Sequence, residues 1–409
     1  MRTLLLLVTV AALSVLASNP RLLRAGSFFN LAQLSASGLL FLVLGAVIGP
    51  SGANLLTRVD LEAARPLLAL GLGLGGVLLG LNLEPAILRA LPRRVWAAAG
   101  AQSVFAFVAV AVPIAAIFLV TRRLPPVAAL GAAAVLGGAA SVSSSHLAVL
   151  SYRAGRLDRL RGLSVALVAM LDDLTGIAVL ALALVLGGAA DPLGGAGLVA
   201  LTLVLGVSCG ALTAYLIHES TESTELMALL IGTVGLVSGV AAFLRVSALL
   251  AGLACGATLA VVGGRQVGLV FRALARTERP VYLTLLFLVG AHVELPDWHA
   301  WAILPVFVGL RFLGKLIGGR VAVRAAAGAL HLPSGLGYAL IGQGGVSLCV
   351  LVEYLRLVGG STSQLIFDVG VLAAIANEAL GTRSFPRSTE PDLEENGTLA
   401  LEGEEGGGA

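Results

Sequence analysis

Two adjacent carboxylates, Asp172 and Asp173, sit within the apolar run Ser-Val-Ala-Leu-Val-Ala-Met-Leu-Asp-Asp-Leu-Thr-Gly-Ile-Ala-Val-Leu. A charge in such surroundings is costly to bury, so it marks a functional site by default. Neighbours on a helix point about 100° apart. One carboxylate can therefore face a partner while the other faces a cavity. Two close carboxylates in a low dielectric repel one another and titrate as a coupled pair. Such a pair can hold either a proton or a cation, which is the basis of proton-coupled exchange. The alternative is a structural pair bonded to backbone or to Lys315.

Lys315 is the second intramembrane charge, in Val-Gly-Leu-Arg-Phe-Leu-Gly-Lys-Leu-Ile-Gly-Gly-Arg. Arg311 lies four residues earlier and shares its helix face. A buried ammonium either pairs or loses its proton, and Lys315 is the expected partner of an aspartate. For Arg311 a functional and a structural role fit equally. Ser141, Ser143, Ser144 and Ser145 follow Gly137 and Gly138 in an interrupted span. Their hydroxyls, with carbonyls freed by unwinding, offer the oxygen ligands that hard cations take. Asp173 with residues 140–145 would form a site for a transported cation. His146 follows the interruption and could respond to pH. Thr175 and Gln343 are accessory polar groups. Glu378, with Asn377, lies late in the last span and reads as interfacial, as do His292, Glu294 and Asp297.

These residues need helices in a bilayer to position them. Of the 409 residues 58% are hydrophobic and only 12% charged, against about 25% charged in an average soluble domain. A spanning helix needs about 20 mostly apolar residues. Such runs recur about thirteen times, from 3–18 to 364–382. The spans nearest the chemistry are 95–120, 126–150, 162–187, 299–319, 333–355 and 364–382. The acidic pair falls roughly ten residues into span 162–187, near the bilayer midplane. Span 333–355 is also interrupted, by Gly335, Gly337, Gly342, Gly344 and Gly345. Interrupted helices at matching places in two halves indicate two inverted repeats, with the site at the breaks. The expected class is an all-α integral membrane protein.

Arginine placement orients it. With the N-terminus outside, 17 Lys and Arg fall in inside loops and the tail and 7 outside, leaving Arg311 and Lys315 in a span. Cytoplasmic loops are enriched in these residues, so the chain reads as N-out and C-in, in the cell membrane. Cleavage of residues 1–18 as a signal peptide would reverse that bias, so the segment is read as a helix. Residues 1–385 form the membrane domain, and 386–409 an acidic, Gly-rich tail expected to be disordered.

Other classes are weaker. No basic patch with interleaved aromatics supports nucleic-acid binding. Cys209, Cys255 and Cys349 show no metal or disulfide spacing. No cofactor is expected beyond the transported Na+ and H+. Gly49-Pro50-Ser51-Gly52 fits a GxSG nucleophile pattern of intramembrane proteases, but it terminates a span and lacks a clear histidine partner. No GxGD occurs, and the two aspartates lie on one helix rather than two.

Together these stretches resemble the monovalent cation:proton antiporters, the branch of bacterial sodium/proton and potassium-efflux antiporters. Leu44-Gly45-Ala46-Val47-Ile48-Gly49-Pro50-Ser51-Gly52 is similar to the end of an early helix in that family. Leu79 to Glu84 with Leu88-Arg89 resembles its GLEL…LR stretch. Ser143-Ser144-Ser145 with Leu147 to Leu150 resembles its crossing helix, and Phe287-Leu288-Val289-Gly290 its FFVLVG helix. Asp172-Asp173 matches its ion-site carboxylates, and Arg311 to Lys315 its Arg-x-x-Gly-Lys run. The resemblance implies a homodimer, a core domain moving against a dimerisation domain, and alternating access. It implies that Asp173 binds the cation, that Asp172 pairs with Lys315, and that exchange is electrogenic. Sodium is the first expectation, with K+ efflux or sodium-coupled symport of an organic solute as alternatives. One departure is plain. Where many relatives carry Arg-Gly-Glu in the second crossing helix, this chain has Gln343-Gly344-Gly345.

Overall fold

The structure, a computed structural model, describes residues 2–18, 38–121, 124–144, 159–187, 192–219, 223–264, 267–294 and 298–384, whose regular structure is helical, with no strand among them. Among the described residues six helices are, by length and composition, long and apolar enough to cross a membrane, and five shorter apolar helices accompany them. The expected count of about thirteen is therefore not reached by helices of spanning length alone.

The chain forms two compact units. The first comprises Met1–Ala90, Ala181–Asp297 and Val352–Asp368. It holds α1 (Arg2–Ala17), α2 (Leu39–Ile48), α3 (Arg58–Ala63), α4 (Arg65–Leu81) and α5 (Pro85–Ala90). The short α3 and α5 are absent from the sequence expectation, being too brief to show an apolar period. A capping box starts α3, with Thr57 and Asp60 bonded to each other's backbone N–H.

Glycine governs packing in this unit. An interior glycine costs a helix up to about 1 kcal/mol. In lipid the compensation is close approach of backbones. A Cβ on Gly76 or Gly80 of α4 would overlap carbonyls of Leu249 or Leu253, and one on Gly256 would overlap that of Val77. Leu249, Leu253 and Gly256 belong to the helix Ala248–Val262, whose N-terminus is held from two sides. Ser247 accepts from the Leu250 N–H, and fully buried Glu353 accepts from the Leu249 N–H at 3.3 Å while paired to Arg356 at 3.0 Å.

The second unit comprises Leu91–Leu180, Trp298–Leu351 and Val369–Ala409. It takes corresponding elements from the two halves of the chain. From the first half come α6 (Arg93–Val120), α7 (Pro126–Ser141) and most of α8 (Arg159–Gly187). After α9 (Pro192–Glu219), α10 (Ser223–Phe243), α11 (Ala248–Val262) and α12 (Val267–Ala291) of the first unit, the second half supplies its counterparts. These are α13 (Trp298–Ala325), the broken pair of α14 (Leu336–Ala339) and the first part of α15 (Gly345–Val358), and the latter part of α16 (Gly360–Ser384). Helix α12 carries charged residues in its first turns and remains helical through Pro280.

Both expected interruptions are present, each sharper than its glycines suggested. Helix α7 runs straight through Gly137 and Gly138 and ends at Ser141, where Val142 turns extended with ψ 136°. Serine hydroxyls compete for backbone groups, and Ser141 Oγ turns back to donate to Gly138 O at 2.8 Å. The second break covers 340–344, between α14 and α15. The breaks touch: the Ser144 N–H donates to Gly342 O at 2.9 Å, and a Cβ on Gly344 would lie 2.7 Å from Ser143 O.

Candidate functional site

The end of α7 leaves carbonyls with no partner in the helix, at the negative end of its dipole. Arg311 and Lys315, one turn apart on α13, supply the compensating positive charge. Arg311 is fully buried. Its Nε donates to Ala140 O at 3.1 Å and its Nη2 to Val142 O at 2.9 Å, both in the first break. Its Nη1 donates to Ile341 O and its Nη2 also to Gly342 O at 3.3 Å, both in the second. One planar guanidinium thus ties the two breaks together, which a compact ammonium could not do. Helix α13 comes close enough because Gly314 and Gly318 face α6. A Cβ on Gly318 would lie 2.9 Å from Gln102 O.

Lys315, also fully buried, donates to Ser141 O at 2.5 Å and to Ser143 Oγ at 2.6 Å. Its Nζ lies 3.6 Å from Asp172 Oδ2. Asp172 is fully buried too, and accepts from Ser103 Oγ at 2.5 Å and Ser143 Oγ at 2.8 Å. Ser143 Oγ accepts a hydrogen bond from Lys315 and donates its own to Asp172, linking ammonium to carboxylate. Gln102 Nε2 then donates to the same hydroxyl at 3.4 Å, since Ser143 has no proton left to give.

Asp173, next on α8, makes none of these bonds. It is half-buried, and its Oδ1 is shielded from solvent without a hydrogen-bond partner. Gln102 Oε1 is in the same condition. Two oxygen acceptors are thus orphaned, one on the residue next to Asp172 and one on the amide that meets Ser143. Such atoms are costly to bury unmatched, and they suit a cation.

Among the other expected residues, Ser144 joins the breaks through its backbone. Thr175 is half-buried on α8 and bonds neither carboxylate. Ser145 and His146 lie outside the described residues, as does Asp297. Gln343 is buried and bonds Asn377, so it does not join the lysine–aspartate cluster through a hydrogen bond. Asn377 and Glu378 are corrected: they are 0% and 6% exposed, buried rather than interfacial, and Asn377 is turned to Gln343 in the second break. Ser103 and Gln102 went unnoticed in the sequence. Their one signal is a polar pair early in an otherwise apolar span. A cavity of about 140 Å³ lined by Ser51, Arg58, Arg65, His292, Glu294 and Gln364 lies wholly in the first unit and includes none of the expected ion-site residues.

Comparison with known proteins comes from both sequence and fold. The family model for the sodium/hydrogen exchanger transmembrane domain matches residues 10–375. The sequence matches no curated protein. The fold is similar to that of the sodium proton antiporter MjNhaP1 from Methanocaldococcus jannaschii at pH 8, with TM-score 0.62 and 14% identity over 95% of this chain and 98% of that one. An electron-microscopy structure of the same antiporter matches with TM-score 0.53 and 17% identity, over 89% of this chain and 90% of that one.

Proposed function

The chain belongs to the sodium/hydrogen exchanger family and is a multi-pass membrane antiporter of protons and cations, and from that premise we propose that Asp173 is the carboxylate that carries the cation. The observation behind the proposal is Asp173 Oδ1, buried and unpartnered on the residue next to the fully engaged Asp172. Asp172 has its oxygens engaged by Ser103, Ser143 and Lys315. Asp173 is left to bind Na+ or a proton in turn, with oxygens of the first break completing the ligand set. Na+ and H+ are substrates here, and the chain needs no resident cofactor for this cycle.

In the same proposal Asp172 and Lys315 share the proton traffic. Protonation of Asp172 frees the ammonium, whose remaining acceptors are Ser141 O and Ser143 Oγ. Exchange proceeds by alternating access and is electrogenic, since two carboxylates rather than one titrate in the cycle. The second unit serves as the transport core. The family resemblance supports a homodimer, and the arginine bias supports a cytoplasmic C-terminus in the cell membrane.

The test is cation-dependent proton efflux from everted vesicles. Asp173→Asn abolishes it while the protein still inserts. Exchange retained at the wild-type rate would sink the assignment of Asp173.

A further inference from the structure

The Gly49-Pro50-Ser51-Gly52 stretch follows α2 and takes no part in the ion cluster. It folds back on its helix. The Ala53 N–H donates to Val47 O at 2.6 Å, and those of Leu55 and Leu56 donate to Ile48 O at 3.1 and 3.0 Å. The turn sets Ser51 on the wall of the cavity of about 140 Å³, together with Arg58, Arg65, His292, Glu294 and Gln364. The Ser51 hydroxyl makes no hydrogen bond with any described residue. Ser51 and His292 share the cavity without forming the nucleophile–base pair that a protease would need.

Two acceptors in the cavity lining are fixed by the bonds beside them. Gln364 Nε2 donates to His292 O and to Asp368 Oδ1, both at 3.0 Å. Both amide hydrogens are spent, and turning the amide over would set its oxygen against two acceptors. Gln364 Oε1 is therefore an acceptor, and it has no described partner. His292 Nδ1 lies 2.7 Å from Leu288 O. A carbonyl only accepts, so Nδ1 carries the hydrogen and Nε2 of the neutral ring is an acceptor. Asp368 is buried and also accepts from the Glu294 N–H at 3.1 Å. It ties the start of α16 to the chain leaving α12, which holds this part of the lining in place.

The charged residues of the lining are balanced. Arg58 pairs with Glu294 at 2.9 Å and Arg65 with Glu62 at 3.1 Å, and the two arginines are 76% and 60% exposed. A guanidinium has five N–H donors, so each keeps donors to spare. A bare cation would meet two guanidiniums. A bare anion would meet acceptors behind them, with the Ser51 hydroxyl as the one neutral donor. A zwitterion with an ammonium and a phosphate matches both sets. The arginine fork takes phosphate oxygens, and an ammonium brings three donors. At about 30 Å³ per water the cavity has room for an ammonioethyl group, with its phosphate left at the arginines. Leu55 and Val59, close to Arg58 in the chain, are exposed apolar side chains. At the ends of membrane helices they suit lipid, and basic pockets between such helices take lipid head groups.

We propose that this cavity binds the phosphoethanolamine head group of an aminophospholipid. Its ammonium donates to Gln364 Oε1, His292 Nε2 and Ser51 Oγ, and its phosphate accepts from Arg58 and Arg65. A lipid so bound joins the ends of α2 and α12 to α3, α4 and α16, and stabilises the first unit by mass action. The site contains no residue of the ion cluster, and the proposal does not require the assignment of Asp173.

The experiment titrates full-length protein in detergent micelles at about pH 8, where a free imidazole is neutral. The probes are phosphatidylethanolamine, phosphatidylcholine, whose methylated ammonium has no N–H, and phosphatidylglycerol, which has no ammonium. Native mass spectrometry counts the bound lipid. Phosphatidylethanolamine is expected to bind at least about tenfold more tightly than either, the effect of hydrogen bonds from a charged group. Gln364→Met removes that preference. Ser51→Ala breaks no bond within the protein and narrows it, which keeps the test decisive should Gln364→Met fail to fold. Arg58→Gln combined with Arg65→Gln weakens phosphatidylethanolamine and phosphatidylcholine alike. Equal affinity of the wild type for these two lipids overturns the proposal, as does a preference unchanged in Ser51→Ala. Free O-phosphoethanolamine is expected to compete only weakly; competition at the concentration of the lipid assigns the site to a soluble zwitterion and overturns the lipid. Asp173→Asn binds phosphatidylethanolamine as the wild type does. Exchange surviving in that variant would thus remove the cation assignment and leave this site standing.

Discussion

The two aspartates of one dipeptide occupy different chemical situations. Asp172 is fully enclosed, with two hydroxyls and an ammonium on its oxygens. Removing one partner of a buried ion pair leaves an uncompensated charge and costs about 3–5 kcal/mol. Lys315→Met is therefore expected to destabilise the protein by about that amount, and adding Asp172→Asn should recover part of the loss. Thermal unfolding of the two single variants and the double in detergent measures this coupling; strictly additive losses would refute it. Ser103→Ala removes a hydrogen bond to a charged group, worth about 1.5–3 kcal/mol, and the same unfolding assay reads it. The aspartates and Lys315 were legible in the sequence because a charge is rare in an apolar run. Ser103 and Gln102 were not, because a hydroxyl or amide in a long helix is most often a packing residue. Their importance comes from α13, which brings Lys315 and the first break to them.

At the scale of elements, two interrupted helices meet and α13 holds them. Arg311 satisfies four carbonyls, two from each break. Arg311→Lys keeps the charge and loses the fork of donors. It is expected to insert normally but to lose at least about tenfold in exchange rate, the effect of a misplacement costing about 1.4 kcal/mol at the barrier. Wild-type exchange from this variant in everted vesicles would show that the fork is dispensable. The α4–α11 contact makes a matching structural prediction. A Cβ on Gly252 would overlap Gly73 O, so Gly252→Leu forces the helices apart. A loss of about 1–3 kcal/mol or more follows, seen as a lowered unfolding temperature. The glycine counts in the sequence pointed to interrupted helices, but not to their edges. Gly137 and Gly138 stay helical because their missing side chains serve packing: a Cβ on Gly137 would press on Ala111 and Phe107, and one on Gly138 on Val179. The break instead falls at Val142, where the freed carbonyls find Arg311 and Lys315.

For the whole molecule, the second unit draws the same three kinds of element from each half of the chain, which places both breaks and both cations in one compact body. If the acidic pair makes exchange electrogenic, an imposed membrane potential changes the initial rate in proteoliposomes. A pH-dye assay comparing Na+, Li+ and K+ with and without a potassium-diffusion potential reads selectivity and voltage dependence together, and a rate indifferent to voltage would reject the electrogenic cycle. Much of this scale was readable beforehand. Composition required a bilayer, hydropathy located the helices, and the spacing of intramembrane charges with paired interruptions singled out an antiporter-like core. These are properties of residue type and local order, which a linear chain carries in full. The tertiary structure alone decided that Asp173 is left with an orphaned oxygen, that one arginine ties both breaks, and that Asn377 and Glu378 are buried. Each of these depends on contacts between residues tens to hundreds of positions apart. Helical periodicity cannot report such contacts, because it records which face a residue occupies and not what the fold brings against that face.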